Sequence, residues 1–131
     1  MESENLTGGN SNQVRREDNT VVRQCGVWSP FVHQLLQFLT ANSFTQSPRL
    51  IETDSTTERL TFIQGDVGND PLKPYMLTDE IIIETAQLLR KFHDLTQHFV
   101  VPPDAQFFLP TQPDNPHEVI CHNDFAPYNC V

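Results

Sequence analysis

Hydrophobic residues recur along the chain in two patterns, one typical of strands and one typical of helices. Short runs rich in β-branched residues, bounded by turn-forming residues, predict antiparallel strands at residues 13–16, 20–24, 49–53 and 59–63. Apolar residues at helical spacing extend over residues 29–41, and a second such pattern extends from residue 78 to about residue 98. This order of elements predicts an α+β fold.

Both predicted helices carry start signals. Ser29 suits the N-cap of the first helix, Pro30 its first helical position and Asn42 its end. Thr78 suits the N-cap of the second helix, and acidic residues follow it in the first turn, where the helix dipole favours them. We expect the apolar stripe of the second helix to be buried in a core. The stripe consists of Ile82, Ala86, Leu89 and Phe92.

Composition excludes some classes of function. The chain has 131 residues with 37% hydrophobic and 19% charged residues, which is enough for one modest domain around a single core. Its net charge of −9 argues against binding nucleic acid or an anionic membrane through a basic patch. No apolar run is long enough for a membrane span, and the acidic, polar first residues do not resemble a signal peptide. Three cysteines without a C-x-x-C pair favour a reduced, cytoplasmic location.

The last residues of the chain contain the most specific pattern. His122, Asp124 and Asn129 form H-x-D-x-x-x-x-N, a spacing found in the catalytic loop of protein-kinase-type phosphoryl-transfer enzymes. Residues 118–121 are predicted to be a short strand that leads into this loop. A buried strand-turn-strand with a polar tip is the structural alternative.

The wider sequence resembles the aminoglycoside phosphotransferase family. The string Cys-His-Asn-Asp-Phe-Ala-Pro-Tyr-Asn at residues 121–129 resembles the catalytic loop of that family. Upstream, a glycine-containing strand pair, Trp-Ser-Pro at a helix start and Phe-Ile-Gln-Gly before a linker follow in the same order. The resemblance implies a protein-kinase-like fold, truncated after the loop. Its parts would be a small nucleotide-binding lobe at residues 1–63, an inter-lobe linker at 64–76 and a partial large lobe at 77–131.

The resemblance also implies an activity, which is transfer of the γ-phosphate of ATP to the hydroxyl of a small molecule. Asp124 would be the catalytic base, His122 would support the loop, and Asn129 would bind Mg²⁺. Arg23 would take the place of the phosphate-pairing lysine of kinases, but the first helix has no glutamate to pair with it, so that ion pair is missing or replaced. The nucleotide-binding residues implied in this way are Gly8, Gly9, Arg23, Gln64 and Gly65.

The chain ends before any second metal-binding carboxylate of this mechanism. We therefore expect the chain to be inactive alone. It would also lack the elements that normally cover the apolar stripe of the second helix, and exposed apolar surface of this kind favours self-association. A non-catalytic remnant or a nucleotide- or small-molecule-binding module is the alternative function. A hydrolase using Asp124 and His122, or a zinc site at His117, Cys121 and His122, has less support from the sequence. His33 is expected to be packed or solvated rather than a ligand.

Overall fold

The computed structural model describes residues 3–6, 14–110 and 118–131. Within these ranges, one antiparallel sheet has the strand order β1-β2-β3-β5-β4. The strands are β1 Ser3–Asn5, β2 Arg15–Glu17, β3 Thr20–Gln24, β4 Leu50–Thr53 and β5 Thr57–Thr61. The helices are α1 Ser29–Ala41 and α2 Asp79–Thr96, with short 3-10 turns at Pro74–Leu77 and Pro127–Asn129. The fold is α+β, and its relation to the protein-kinase fold stays a prediction.

The chain forms two compact units. The first comprises Met1–Ile63 and Val100–Asp114, and the second comprises Gln64–Phe99 and Asn115–Val131. The predicted boundary after residue 63 coincides with this division, but residues 100–114 belong to the first unit rather than to the predicted large lobe. Aromatic contacts explain that difference. The ring of Phe107 lies 4.7 Å from that of Phe31, and the ring of Phe108 lies edge-on, 4.9 Å from that of Trp28.

The core of the first unit lies between helix α1 and the sheet. Phe31, Leu35 and Leu39 are four residues apart, so they share one face of the helix and are all buried. Leu39 is 2% exposed, and burial of such a side chain contributes roughly 1.5–3 kcal/mol. The buried hydrophobic residues are Val22, Phe31, Leu35, Leu36, Leu39, Phe44 and Leu60.

The two ends of helix α1 differ in how they match the prediction. Trp28, not Ser29, occupies the N-cap position, and Ser29 is the first helical residue. The hydroxyl of Ser29 accepts a hydrogen bond from the backbone N–H of Gly26 at 3.0 Å, so it closes the turn before the helix instead of capping the helix. At the other end Asn42 is the C-cap, as predicted, and its side-chain amide donates to the carbonyl of Phe38 at 2.8 Å.

The turn between β4 and β5 is organised by one aspartate. Asp54 Oδ1 accepts hydrogen bonds from the backbone N–H groups of Thr56 at 2.7 Å and Thr57 at 2.8 Å. These bonds, with two from the threonine hydroxyls, lower the pKa of Asp54 from 3.8 to about 2 because they favour its charged form. The tight turn lets β5 begin at Thr57, two residues earlier than predicted, and the strand ends at Thr61.

Helix α2 starts where the sequence predicts, but its stripe does not form a core. Thr78 is the N-cap, and its hydroxyl accepts from the N–H of Ile81 at 3.5 Å. Ile82 is 59% exposed, Ala86 is exposed, and the other two stripe residues are half-buried. The pattern alone predicted a buried face, but the described part of this unit has neither a sheet nor a second α-helix to cover it. The exposed stripe agrees with the apolar surface expected for this chain alone.

The predicted strand at residues 118–121 does not form. The structure describes this segment as irregular, and the N–H of Ile120 donates to the hydroxyl of Thr96 at 3.2 Å instead of to a strand neighbour. Thr96 is the buried residue of α2, so this bond fixes the segment to the end of the helix. Among the helices of the described ranges, none is long and apolar enough to cross a membrane.

Candidate functional site

The predicted catalytic loop is a compact turn in the second unit. Asn123 has a φ of 63°, in the left-handed region that asparagine tolerates better than most residues. The N–H of Ala126 donates to the carbonyl of Asp124 at 3.0 Å, and the N–H of Asn129 donates to the carbonyl of Ala126 at 2.9 Å. These bonds fold the chain back so that residues 124 and 129 become neighbours.

The carboxylate of Asp124 is held by two residues of its own loop. The hydroxyl of Tyr128 donates to Oδ1 at 2.7 Å, and the side-chain amide of Asn129 donates to Oδ2 at 3.0 Å. The same amide also donates to the backbone carbonyl of Asp124 at 2.8 Å. The hydrogen bond to Asp124 raises the pKa of Tyr128 because it favours the protonated hydroxyl, and the negative charge of the carboxylate adds to this effect. Both carboxylate oxygens therefore stabilise the loop itself.

His122 lies at the edge of this loop. Its side chain is exposed, and its ring centroid lies 6.0 Å from that of Phe125, with the rings nearly perpendicular. It thus contacts an aromatic neighbour within the loop, and its supporting role in catalysis stays a prediction. Cys121 is exposed as well.

Two glycines of the predicted linker lie against the end of the loop. The N–H of Gly68 donates to the carbonyl of Pro127 at 3.2 Å, and a Cβ at position 68 would come within 2.6 Å of that oxygen. A Cβ at Gly65 would come within 2.6 Å of Cγ1 of Val131. Gln64 and Gly65, predicted to contact nucleotide, are exposed residues of this unit. Close approach of backbone to backbone explains why glycine occupies position 68.

The linker has a polar cluster of its own. Lys73 Nζ lies 2.6 Å from Asp66 Oδ1, and the hydroxyl of Tyr75 donates to Oδ2 at 3.0 Å. These contacts lower the pKa of Asp66, chiefly through Lys73, and Asp66 in turn raises the pKa of Lys73. All three residues are substantially exposed, so the cluster adds little to stability.

In the first unit, the predicted nucleotide-binding cation is already paired. The strand register places Arg23 of β3 directly opposite Glu58 of β5, and Arg23 Nε donates to Glu58 Oε1. Glu58 Oε2 is hydrogen-bonded to Nε2 of His33 on α1. Arg23 is therefore paired with a carboxylate from strand β5 and not with a residue of helix α1. Gly8 and Gly9 lie outside the described residues.

Sequence reasoning did not identify Glu58 as an important residue. It is 2% exposed, although it is charged and lies in a strand of mixed composition. The signal in the sequence was its position two residues before Leu60, because residues two apart in a strand lie on the same face of the sheet. His33 was expected to be packed or solvated, and it is packed against this carboxylate with 13% of its side chain exposed.

Comparison with known proteins gives one informative relative. The chain is 32% identical over 132 aligned residues to the trifolitoxin immunity protein of Rhizobium leguminosarum bv. trifolii. The alignment covers 96% of this chain and 49% of that protein, so the chain spans about half the length of its curated relative. No protein-family model matches the chain, and no solved structure matches it.

This comparison overturns the predicted family and activity. The relative is named as an immunity protein, and no comparison supports a phosphotransferase or a nucleotide- or small-molecule-binding module. The H-x-D-x-x-x-x-N spacing also suits a structural turn. In this chain Asp124 and Asn129 hydrogen-bond to each other and close the loop. ATP and Mg²⁺ stay predictions that none of the described contacts tests.

Proposed function

We propose that this chain helps to protect its cell against a toxin. The observation that carries the proposal is the alignment with the trifolitoxin immunity protein, which extends over 96% of the chain. An alignment of that extent includes both compact units, so it does not depend on one short motif. The proposal concerns the aligned half of the relative, and the other half of that protein lies outside the alignment.

We infer that protection works through binding, with the loop at residues 122–131 as part of the contact surface. Tyr128 is 54% exposed, while its hydroxyl is fixed by Asp124 at 2.7 Å. A tyrosine held in one orientation loses little conformational entropy when a partner binds, and tyrosines are enriched among the residues that dominate binding energy. The hydrogen bonds of Asp124 support this role because they order the surface before a partner arrives.

We place this activity in the cytoplasm. Cys25, Cys121 and Cys130 are all free thiols, and unpaired cysteines are typical of proteins kept in a reducing compartment. Burial raises the pKa of Cys130, which disfavours the reactive thiolate form. The partner in this proposal is a toxin, and the net charge of −9 gives no support for a nucleic-acid partner.

The test is survival of a toxin-sensitive bacterium that expresses this chain. Trifolitoxin is the first toxin to use, because the relative is named for it. We expect growth at toxin concentrations that stop cells carrying an empty vector. The full-length relative serves as the positive control. The aligned half of the relative, expressed alone, shows whether a fragment of this length is sufficient.

Two matched variants test the inferred contact surface. Tyr128 and Tyr75 are both about half exposed, and each donates its hydroxyl to an aspartate of the second unit. We expect Tyr128→Ala to weaken protection and Tyr75→Ala to leave it unchanged at equal protein levels. Equal effects of both variants would contradict the inferred surface. The proposed function would be contradicted if cells that accumulate this chain die at toxin concentrations from which the aligned half of the relative protects.

A further inference from the structure

Three residues with metal-binding side chains meet in the first unit, away from the loop at residues 122–131. Cys25 follows strand β3, His33 lies in α1, and Glu58 lies in β5. One donor atom from each, the Cys25 sulfur, a His33 ring nitrogen and a Glu58 carboxylate oxygen, lies within 4.8 Å of the other two. Within the described residues, these three side chains form a group whose donor atoms are close enough together to hold one metal ion.

We propose that Cys25, His33 and Glu58 form a binding site for a divalent transition metal, with Zn²⁺ as the best match. Thiolate, imidazole and carboxylate are the three side-chain ligands of protein zinc sites. At Zn–ligand distances of about 2.0–2.3 Å, the donors of a tetrahedral site lie roughly 3.3–3.8 Å apart. All donor atoms lie within 4.8 Å of one another, so binding requires a closure of at most about 1.5 Å between any two of them. The donors of His33 and Glu58, which now hydrogen-bond to each other, must separate so that the ion can lie between them.

The surrounding chain fixes the positions of these donors. The N–H of Cys25 donates to the carbonyl of Thr56 at 2.8 Å, which ties the residue to the turn between β4 and β5. Reciprocal hydrogen bonds between Gly26 and Ser29, both at 3.0 Å, set the turn that leads from Cys25 into the helix bearing His33. Ligands on rigid elements lose little freedom when an ion binds.

Charge and hydrogen bonding around the cluster are compatible with a cation. Arg23 donates to Glu58 Oε1 and leaves Oε2, the oxygen facing His33, for the ion. The guanidinium already balances the carboxylate, so the imidazole and the thiol are not needed to neutralise Glu58. The ion would take the place of the hydrogen bond between His33 Nε2 and Glu58 Oε2, with His33 bound as a neutral imidazole that carries its proton on Nδ1. Cys25 would bind as a thiolate, so binding would release the thiol proton.

Three protein ligands leave one tetrahedral position for water or another small ligand. Glu58 is 2% exposed, whereas His33 keeps 13% of its side chain accessible, so solvent reaches the cluster from the His33 side. The Cys25 sulfur lies 3.7 Å from the hydroxyl oxygen of Thr53, whose own hydrogen is donated to the carbonyl of Thr57 at 3.0 Å.

The test begins with chelator-treated, reduced protein titrated with Co²⁺ and Zn²⁺. We expect one equivalent of Co²⁺ to bind and to produce a thiolate-to-cobalt absorption band, which Zn²⁺ then removes by displacement. Cys25→Ser should abolish the band, and His33→Gln should weaken affinity by at least about tenfold, the cost of losing even an outer-shell partner. Cys121→Ser and Cys130→Ser are the matched thiol controls and should leave the titration unchanged.

A second measurement avoids any dependence on variant folding. Wild-type protein is alkylated with iodoacetamide with and without Zn²⁺, and the modified peptides are identified by mass spectrometry. We expect Zn²⁺ to slow modification of Cys25 while exposed Cys121 reacts at the same rate in both samples. Absence of a thiolate band, or a band lost in Cys121→Ser rather than Cys25→Ser, would overturn the site. Equal alkylation of Cys25 with and without Zn²⁺ would overturn it as well.

Discussion

The buried charge cluster predicts an asymmetry between its two main partners. Arg23→Met removes the guanidinium but leaves the carboxylate of Glu58 in a site that is 2% exposed. Glu58→Gln removes the charge and keeps the shape, and it leaves a guanidinium whose side chain is 35% exposed and can therefore reach water. An uncompensated buried charge is far more costly than an exposed one, so the arginine variant should be the less stable of the two.

Magnitudes follow from the same geometry. Loss of one partner from a buried ion pair costs about 3–5 kcal/mol of stability. For Arg23→Met we expect a loss at the lower end, ~3 kcal/mol, because Arg23 is partly exposed and Glu58 keeps its contact with His33. That corresponds to a fall of ~10 °C in melting temperature for a chain of this size. Glu58→Gln should cost ~1 kcal/mol, close to the net value of one hydrogen bond. The double variant should be more stable than Arg23→Met alone, because no buried charge remains.

The assay is urea unfolding followed by the fluorescence of Trp28, the single tryptophan, which belongs to the first unit. Arg90→Met is the matched control. It breaks the helical pair of Arg90 with Asp94, whose side chains are 77% and 51% exposed, and should change stability by less than ~0.5 kcal/mol. The reasoning fails if Glu58→Gln is as destabilising as Arg23→Met. It also fails if the double variant loses as much unfolding free energy as the two single variants lose together.

Three further outcomes are expected. Asp54 has a pKa of about 2 in the folded protein, below its ordinary 3.8, so its stabilising effect is present above pH 4 and lost as pH falls through 2. In calorimetry, Asp54→Ala should lower the melting temperature at neutral pH. The variant should also show a weaker dependence of melting temperature on pH between pH 4 and pH 2. Gly68→Ala should destabilise the second unit by more than ~1 kcal/mol, because a Cβ there would lie 2.6 Å from a backbone oxygen. Gly65→Ala, which meets only the end of a side chain, should cost less in the same denaturant titration by circular dichroism. Ile82→Gln should leave the melting temperature within about 2 °C of wild type, because Ile82 is 59% exposed.

Local sequence signals predicted most elements of the fold. The strand at Thr20–Gln24 and the helix at Ser29–Ala41 lie where the pattern indicates, and Thr78 caps α2 as expected. These features depend on residues a few positions apart, so a single sequence contains the information. The boundaries of β5 shifted because the carboxylate of Asp54 forms a tighter turn than composition indicates.

Features that depend on distant residues were not predictable in the same way. Glu58 lies 35 residues from Arg23 and 25 residues from His33, so only the strand register and the position of the helix bring the three together. The apolar stripe of α2 predicts which face is hydrophobic, but it does not say whether anything covers that face. The resemblance of the loop to a catalytic motif rested on spacing, and the hydrogen bonds between Asp124 and Asn129 give that spacing a structural reason.

The proposed immunity function is tested most directly by a chimera. The half of the trifolitoxin immunity protein that aligns with this chain would be replaced by the chain itself, with the rest of that protein retained. The measured quantity is the trifolitoxin concentration that stops growth of a sensitive strain, with cellular amounts of chimera and native protein matched. We predict that the chimera raises this concentration well above that of cells carrying an empty vector. Equal sensitivity of chimera and vector cells, with the chimera folded and abundant, would contradict the account.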